Sequence, residues 1–345
     1  MHGDACASFP DGHCWMRRRV CMWVKKIVLL MSVLSCAAGV QAQGTYPSRP
    51  IRLVVPFAAG GPTDAVARII GEEIGRSLGQ PVIVENKAGA SGAIGQDYVS
   101  KSAPDGYTLA MITGTSSNNY HLMRRTLDFY KDFSMVGRIY NTYTVLAINP
   151  QAPGMGGIVD LSQLVAYIKA HPGELNYTSS GTGSLGHLTM EKIKLHHGLQ
   201  IEHVPYKGQA LATQDVLAGR VPILSGTFTM LPLIAAGKLR PIAMGTEKPS
   251  SLLPNVGTFA EQGIPGLISA VWIGVAAPPA TPQVIVERLG NELRTALDKP
   301  EVSRKVVAAV GNQPEYLNGP DFAAFATRDF EYWGRVIRDA GIKGE

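Results

Sequence analysis

The feature that most constrains this chain is an alternation of short apolar runs, glycine-rich turns and amphipathic segments. It begins at residue 50 and starts again near residue 160. Ile51–Val55 is a continuous apolar run, the pattern of a strand buried on both faces, and Pro56 ends it. A helix follows with Val66, Ile69, Ile70 and Ile74 on one face; Thr63 or Asp64 can cap it, and Gly79 closes it. Pro81–Val84 reads as the next strand. A small-residue loop, Ala88–Gly92, leads to a short helix, and Asp105-Gly106 turns into a strand over Tyr107–Ile112. This βαβαβ order predicts an α/β domain with a parallel sheet.

A long extended stretch, Met135–Ile148, interrupts the alternation, which then resumes. The spacing predicts helices over Leu161–Ala170, Leu185–His197, Gln209–Leu217 and Met230–Ala236. Strands are predicted over Leu175–Ser179, Ile201–Val204, Val221–Leu224 and Arg240–Met244. A second extended stretch, Ile268–Ala276, precedes helices at Gln283–Leu297, Glu301–Val310 and Asp321–Ala340. Two α/β units joined by two extended segments imply two lobes, with the last helices returning to the first lobe. Lobe 1 is expected to be residues 43–146 with 269–345, and lobe 2 residues 147–268. Such an arrangement can close on a ligand by a hinge.

The N-terminal 42 residues are of a different kind. Lys25-Lys26, an apolar run of about 12 residues from Ile27 to Ala38, and Val40-Gln41-Ala42 are the three parts of a secretory signal. Cleavage is expected after Ala42, so the mature protein should be soluble and exported. The run is too short for a membrane span, which needs about 20 residues. Residues 1–21 fit no part of this plan, so Met22, or else Met16, is the expected start. Val33-Leu34-Ser35-Cys36 resembles a lipoprotein site, but Leu34 is a poor fit there.

All four cysteines (Cys6, Cys14, Cys21, Cys36) precede residue 43. The main body therefore has no disulfide framework, zinc ribbon or thiol nucleophile. Five of the 32 basic residues and two of the 27 acidic ones also lie there, which leaves a net charge near +2 for the remainder. No basic stripe is left to grip a phosphate backbone, so no nucleic-acid partner is expected.

Two turns between strand and helix could hold an anion: Phe57-Ala58-Ala59-Gly60-Gly61-Pro62-Thr63-Asp64 and Ser179-Ser180-Gly181-Thr182-Gly183-Ser184. Both present backbone amides at a helix start, where the helix dipole favours negative charge. A third turn, Thr113-Gly114-Thr115-Ser116-Ser117-Asn118-Asn119, adds neutral hydroxyls and amides. His187, in the first turn of its helix, is close enough to touch a ligand, and Tyr140, Tyr143, Tyr206 and Trp272 could wall a cleft. The competing reading is that the turns are only tight connections and the aromatics only core.

Gly181-Thr182-Gly183-Ser184-Leu185-Gly186 also fits the dinucleotide fingerprint GxGxxG, with Glu202 at the distance of a ribose-binding acid. Export, the position in the second unit and the polar strand Asn176–Ser179 argue against it. Thr182-Gly183-Ser184-Leu185-Gly186 misses the first glycine of a nucleophile elbow. No metal-ligand spacing occurs, and His196-His197 point in different directions on a helix.

Tyr46-Pro-Ser-Arg-Pro-Ile-Arg-Leu-Val-Val-Pro-Phe-Ala-Ala-Gly-Gly-Pro-Thr-Asp64 resembles the opening of the Bug-type receptors, the periplasmic solute-binding proteins of tripartite tricarboxylate transporters. The resemblance continues through Gly79–Gly89, Ala103–Leu109, His171–Tyr177, Ser179–Gly183, His203–Gly208, Ala236–Arg240 and Trp333–Gly341. It covers residues 45–342.

The resemblance implies a two-lobed periplasmic-binding-protein (flytrap) fold, type II-like, with two extended interlobe crossings. It implies capture of a small carboxylate, by backbone amides and water, in the interlobe cleft. It also implies delivery to membrane transporter subunits of a tripartite system, or service to a sensor. No catalysis and no cofactor are expected, and the protein should be a monomer.

The ligand-binding set is then Phe57, Ala58, Ala59, Gly60, Thr63 and Asp64; Thr113, Gly114, Ser116, Ser117 and Asn118; Ser180, Gly181, Thr182, Gly183, Ser184 and His187; and Tyr206, Gly226 and Thr227. Many members carry an Asp, and often a second acid, after the position of Val221. Here the stretch is Val221-Pro-Ile-Leu-Ser-Gly-Thr-Phe228, with neither acid. The absence of a carboxylate partner for an ammonium group argues against an amino-acid ligand and for a plain mono- or dicarboxylate, aromatic acids included. The remaining alternative is an exported α/β enzyme using the GxGxxG loop.

Overall fold

A computed structural model describes residues 46–89 and 92–343. The signal segment and the start site fall outside them. Residues from Arg49 onward form one compact unit.

β1 (Ile51–Val55) lies between β2 (Val82–Asn86) and β3 (Thr108–Thr113), all parallel. α1 (Pro62–Leu78) and α2 (Ala93–Ser100) make the crossovers. α1 ends as expected, with Gly79 left-handed at φ 68°. Its start differs. Gly61 is the N-cap, Pro62 occupies the first turn, and neither Thr63 nor Asp64 caps it. Proline suits that turn because its missing N–H would be unpaired there anyway.

α3 (Gly114–Leu122) replaces what the sequence suggests is a loop. Its polar, small residues give no apolar stripe to read. Thr113 builds it through a capping box with Ser116.

The second unit repeats the scheme. β5 (Asn176–Ser179) lies between β6 (Glu202–Pro205) and β7 (Ile223–Thr227), again parallel. α4 (Leu161–Ala170), α5 (Leu185–His197) and α6 (Gln209–Leu217) match their predicted spans. The helix expected at Met230–Ala236 begins instead as a 3₁₀ turn, Phe228–Met230, before α7 (Leu231–Ala235). Pro232 allows α-helix only from its own first turn onward.

β4 (Ser134–Ile148) joins the two units. Its first part pairs antiparallel with β9 (Ala270–Ala277) and with β10 (Pro314–Asn318). From Thr144 onward it pairs with β7 and with β8 (Arg240–Met244). β9 also borders β3, so the strand order is β2-β1-β3-β9-β4-β7-β5-β6. β10 was not legible, because a half-buried edge strand carries no alternation.

β4 is buried on both faces. Leu146 and Ile148 enter one apolar cluster, with Tyr177, Leu185 and Leu188, while Val145 and Ala147 enter another, with Leu224 and Met244. A separate cluster in the first unit holds Ile112, Phe129, Trp272 and Phe322.

Where the chain crosses between units, Thr144 N–H donates to Ser269 O (2.9 Å), Ser269 N–H to Gly245 O (2.9 Å) and Gly245 N–H to Thr144 O (2.8 Å). The buried hydroxyls of Thr144 and Thr189 both bond Ser269 Oγ, at 2.7 and 2.6 Å.

α8 (Gln283–Leu297), α9 (Pro300–Val310) and α10 (Gly319–Asp339) close the chain. One stripe of α10 serves two cores: Phe322, Ala326 and Phe330 join the first-unit cluster, and Trp333, Val336 and Ile337 join the second.

Candidate ligand site

The first glycine turn follows β1, and its conformation depends on Asp64. That carboxylate is 3% exposed. It accepts the Gly60 N–H at 3.0 Å, both arms of Arg68 at 3.0 Å, and Asn86 Nδ2 at 2.9 Å. Asn86 also donates to Phe57 O at 3.0 Å, which closes the turn against β2. Arg68 above all, with the Gly60 amide and Asn86, outweighs burial and holds the Asp64 carboxyl near a pKa of about 2. Asp64 is thus directed into the chain and neutralised there.

Around it, Ala58, Ala59 and Gly60 are exposed. The backbone N–H groups of Ala58, Ala59, Gly61 and Thr63 find no acceptor among the described residues. With no side-chain cap, the positive end of a 17-residue helix is open.

The second turn is wired internally. Ser179 Oγ accepts the Gly181 N–H (3.2 Å) and the Ser184 hydroxyl (3.1 Å), and lies 2.8 Å from His203 Nε2. Gly183 N–H donates to His187 Nδ1 at 3.1 Å, and Ser184 N–H to Gly181 O at 3.1 Å. Ser184 caps α5 by accepting the His187 N–H. His187 therefore carries its proton on Nε2, 3.9 Å from Glu191.

The His187 and His203 rings stack at 4.0 Å, and Tyr177 stacks on His203 at 4.9 Å. Tyr177 donates to Glu191 at 2.8 Å, and Lys194 pairs with Glu191 at 2.7 Å. Burial pushes His187 down, and takes His203 down to about 3, helped there by the charges His187 and Lys194 would bring. Both rings are neutral at neutral pH. Ser179 belongs to the turn read from the sequence, whereas His203 and Glu191 lie outside the sequence-read site, because nothing local marks a residue whose partner sits on another strand or helix.

The three glycines of GxGxxG have structural reasons. Gly181 and Gly183 have φ of 128° and 74°. A Cβ on Gly186 would sit 2.2 Å from Ser225 O, so α5 packs on β7 only because that atom is missing.

The third segment is the start of α3. Gln96 Nε2 donates to Ser116 Oγ at 2.6 Å, and Ser117 Oγ donates to Thr113 O at 2.9 Å. Gly114 leaves room for Trp272, whose Nε1 is 2.9 Å from where a Cβ would be. Asn118 and Ser225 are each 1% exposed, and neither Asn118 Oδ1 nor Ser225 Oγ has a hydrogen-bond partner among the described residues. Buried polar atoms without partners are uncommon and call for a water or a ligand.

The three segments form one arc. A Cβ on Gly92 would lie 2.6 Å from Ser116 Cβ and 3.4 Å from Phe57 Cζ, and one on Gly183 would lie 2.4 Å from Leu122 Cδ1 and 3.3 Å from Asn119 Oδ1. Of the remaining candidates, Tyr206 borders the second turn, with its backbone O 3.0 Å from where a Cβ on Gly181 would be. The Tyr206 hydroxyl is taken by Asp215, which also pairs with Arg220. Gln209 Oε1 accepts the Thr227 N–H (3.0 Å) and hydroxyl (3.1 Å) and covers Gly226. Tyr140 and Trp272 are buried core residues, and Tyr143 is half-buried beside Phe228.

The family model of the tripartite tricarboxylate transporter family receptor matches residues 66–342. The chain belongs to this family. Its members are periplasmic solute-binding receptors. Protein BugT of Bordetella pertussis (strain Tohama I) is 33% identical over 329 residues, 93% of this chain and 99% of that one.

Among solved structures, an R. palustris protein with adipate is 33% identical, with a TM-score of 0.73, over 86% of this chain and 99% of that one. MatC from Rhodopseudomonas palustris with bound malate is 28% identical, with a TM-score of 0.71, over 85% and 100%. The α/β, two-lobed flytrap fold is therefore the one this receptor has. Among its described residues, no helix is long and apolar enough to cross a membrane.

Proposed function

We propose that this receptor captures a small mono- or dicarboxylate, aromatic acids included, between its lobes and delivers it to membrane subunits of a tripartite transporter, without catalysing a reaction. The observation that carries this reading is the uncapped start of α1. Four backbone amides without an acceptor among the described residues and the positive end of a helix dipole lie together there, while Asp64 is turned inward and paired with Arg68. Asn118 and Ser225 offer two further polar atoms that a bound acid or its water shell would satisfy.

The proposed lobes are residues 43–146 with 269–345, and 147–268. The proposed contacts are the sequence-read set, with Asp64 and His187 shaping turns rather than meeting the anion. The receptor works as a monomer in the periplasm, after cleavage behind Ala42.

The stretch Ser225-Gly-Thr-Phe228 holds no acid, and Gln209 fills the space over Gly226. A ligand ammonium has no carboxylate partner there, so simple organic acids should outbind amino acids. A thermal-shift screen of the refolded protein tests this, with adipate, malate, aromatic acids, aspartate and glutamate. At roughly 100 times its dissociation constant, a true ligand adds about 2.7 kcal/mol. Shifts with aspartate or glutamate and none with plain acids would overturn the ligand class; no shift with any carboxylate would overturn the function.

A further inference from the structure

Asp329 stands at the point on α10 where the helix passes from one apolar core to the other. Its Oδ2 accepts the Trp272 indole N–H at 2.7 Å, and its Oδ1 accepts the Trp333 indole N–H at 3.1 Å. Trp272 comes from β9 and belongs to the core with Ile112 and Phe129. Trp333 belongs to the core with Leu146 and Leu188. Both indoles are fully buried. One carboxylate therefore ties together a tryptophan from each core, and no ion pair neutralises it among the described residues.

Trp272 also touches the ligand arc, because its Nε1 abuts Gly114, the first residue of α3. A carboxylate can accept from both indoles at once. A protonated carboxyl has one oxygen turned donor, so it holds only one of them well.

We propose that Asp329 is a proton-sensitive clamp at the joint between the two cores: its carboxylate holds Trp272 and Trp333 together, protonation releases one indole, and ligand affinity falls as the solution becomes acidic. The last step rests on the ligand site proposed above.

Burial raises the Asp329 carboxyl to about 7, against the two indole bonds that lower it. The residue as a whole keeps a little exposure, but its carboxyl is enclosed. No charged side chain contributes to that shift. His121 on α3 stacks on Phe330 at 3.8 Å and is itself pushed down by burial. Tyr332 lies on α10 and is pushed up, chiefly by burial. Arg138 on β4 lies over Phe325, one turn away. None of these forms a salt bridge with the carboxylate.

The test uses the protein's own reporters. Of its four tryptophans, Trp15 and Trp23 precede Ala42, so Trp272 and Trp333 are the two beyond it. Indole emission of the ligand-free exported protein is followed from pH 5 to pH 9. A one-proton transition with a midpoint near 7 is expected in the wild type and not in Asp329→Asn. Adipate affinity by calorimetry should drop several-fold from pH 8 to pH 6, where adipate stays mainly dianionic, in the wild type and stay nearly level in Asp329→Asn.

An unchanged transition in Asp329→Asn overturns the clamp. An unchanged pH dependence of affinity in that variant overturns its link to binding. If Asp329→Asn does not fold, Trp333→Phe replaces it: loss of one donor should move the Trp272 transition to higher pH, and an unmoved midpoint overturns the clamp. Absence of adipate binding would count against the proposed ligand class, while the emission titration still decides the clamp.

Discussion

Asp64 shows how a residue can belong to a site without meeting its ligand. Sequence spacing puts it at a helix start beside a glycine turn, where a cap or a ligand contact is expected. The fold instead gives it Arg68, Asn86 and the Gly60 amide. Asp64→Asn should cost about 1.5–3 kcal/mol of stability, the range for hydrogen bonds to a charged group. The low end is expected, because Arg68 is half-exposed and solvent screens it. The same variant should weaken carboxylate binding, because the amide nitrogen that replaces one carboxylate oxygen cannot accept that oxygen's bonds from Arg68 and from Gly60 or Asn86, and the turn is held less firmly. Urea unfolding and calorimetry on one preparation check both. The glycines and Asp64 were legible in the sequence, but their division of labour was not. The direction of a carboxylate depends on Asn86, 22 residues away.

At the scale of elements, α5 and β7 show why close approach matters more than the motif that suggests it. GxGxxG reads as a cofactor loop, yet Gly186 is required because Ser225 O occupies the space of its Cβ. Gly186→Ala should force α5 off the sheet and cost about 1–3 kcal/mol. Gly157→Ala, with nothing within 4 Å, should stay within about 0.5 kcal/mol. Denaturant midpoints of the two variants decide the matter; equal values would refute the packing argument. α4, α5 and α8 were legible to the residue because each carries apolar residues on a buried face, and α6 because Gly208 and Gly219 bracket it. α3 and β10 were not. α3 is a helix by virtue of its cap and its buried position against Trp272, and β10 exists because β4 offers it an edge.

For the whole molecule, buried titratable groups oppose one another. His203, held at about 3, is neutral in the fold and binds its proton more readily when unfolded, so stability falls as pH drops from about 6.5 toward 3. Asp329, raised to about 7, binds its proton more readily in the fold. Its contribution is therefore full below pH 4 and lost as pH rises through 7. Between pH 4 and 6.5 the two slopes act against each other. Asp329→Asn should remove one of them, so its melting temperature should fall faster on acidification than the wild type's. Each uncompensated proton is worth up to about 1.4 kcal/mol per pH unit. Parallel curves for the two proteins would contradict this balance.

The sequence by itself determined the α/β alternation, the two extended crossings, the glycine turns and the family. Each of these follows from local periodicity, turn chemistry or motif order along the chain. Tertiary structure alone decided that Asp64 turns inward, that His187 and His203 stack to wire the second turn, and that Asp329 joins Trp272 to Trp333. These partners lie on different strands and helices, and only the packed fold brings them within hydrogen-bond distance while removing the water that would otherwise satisfy them.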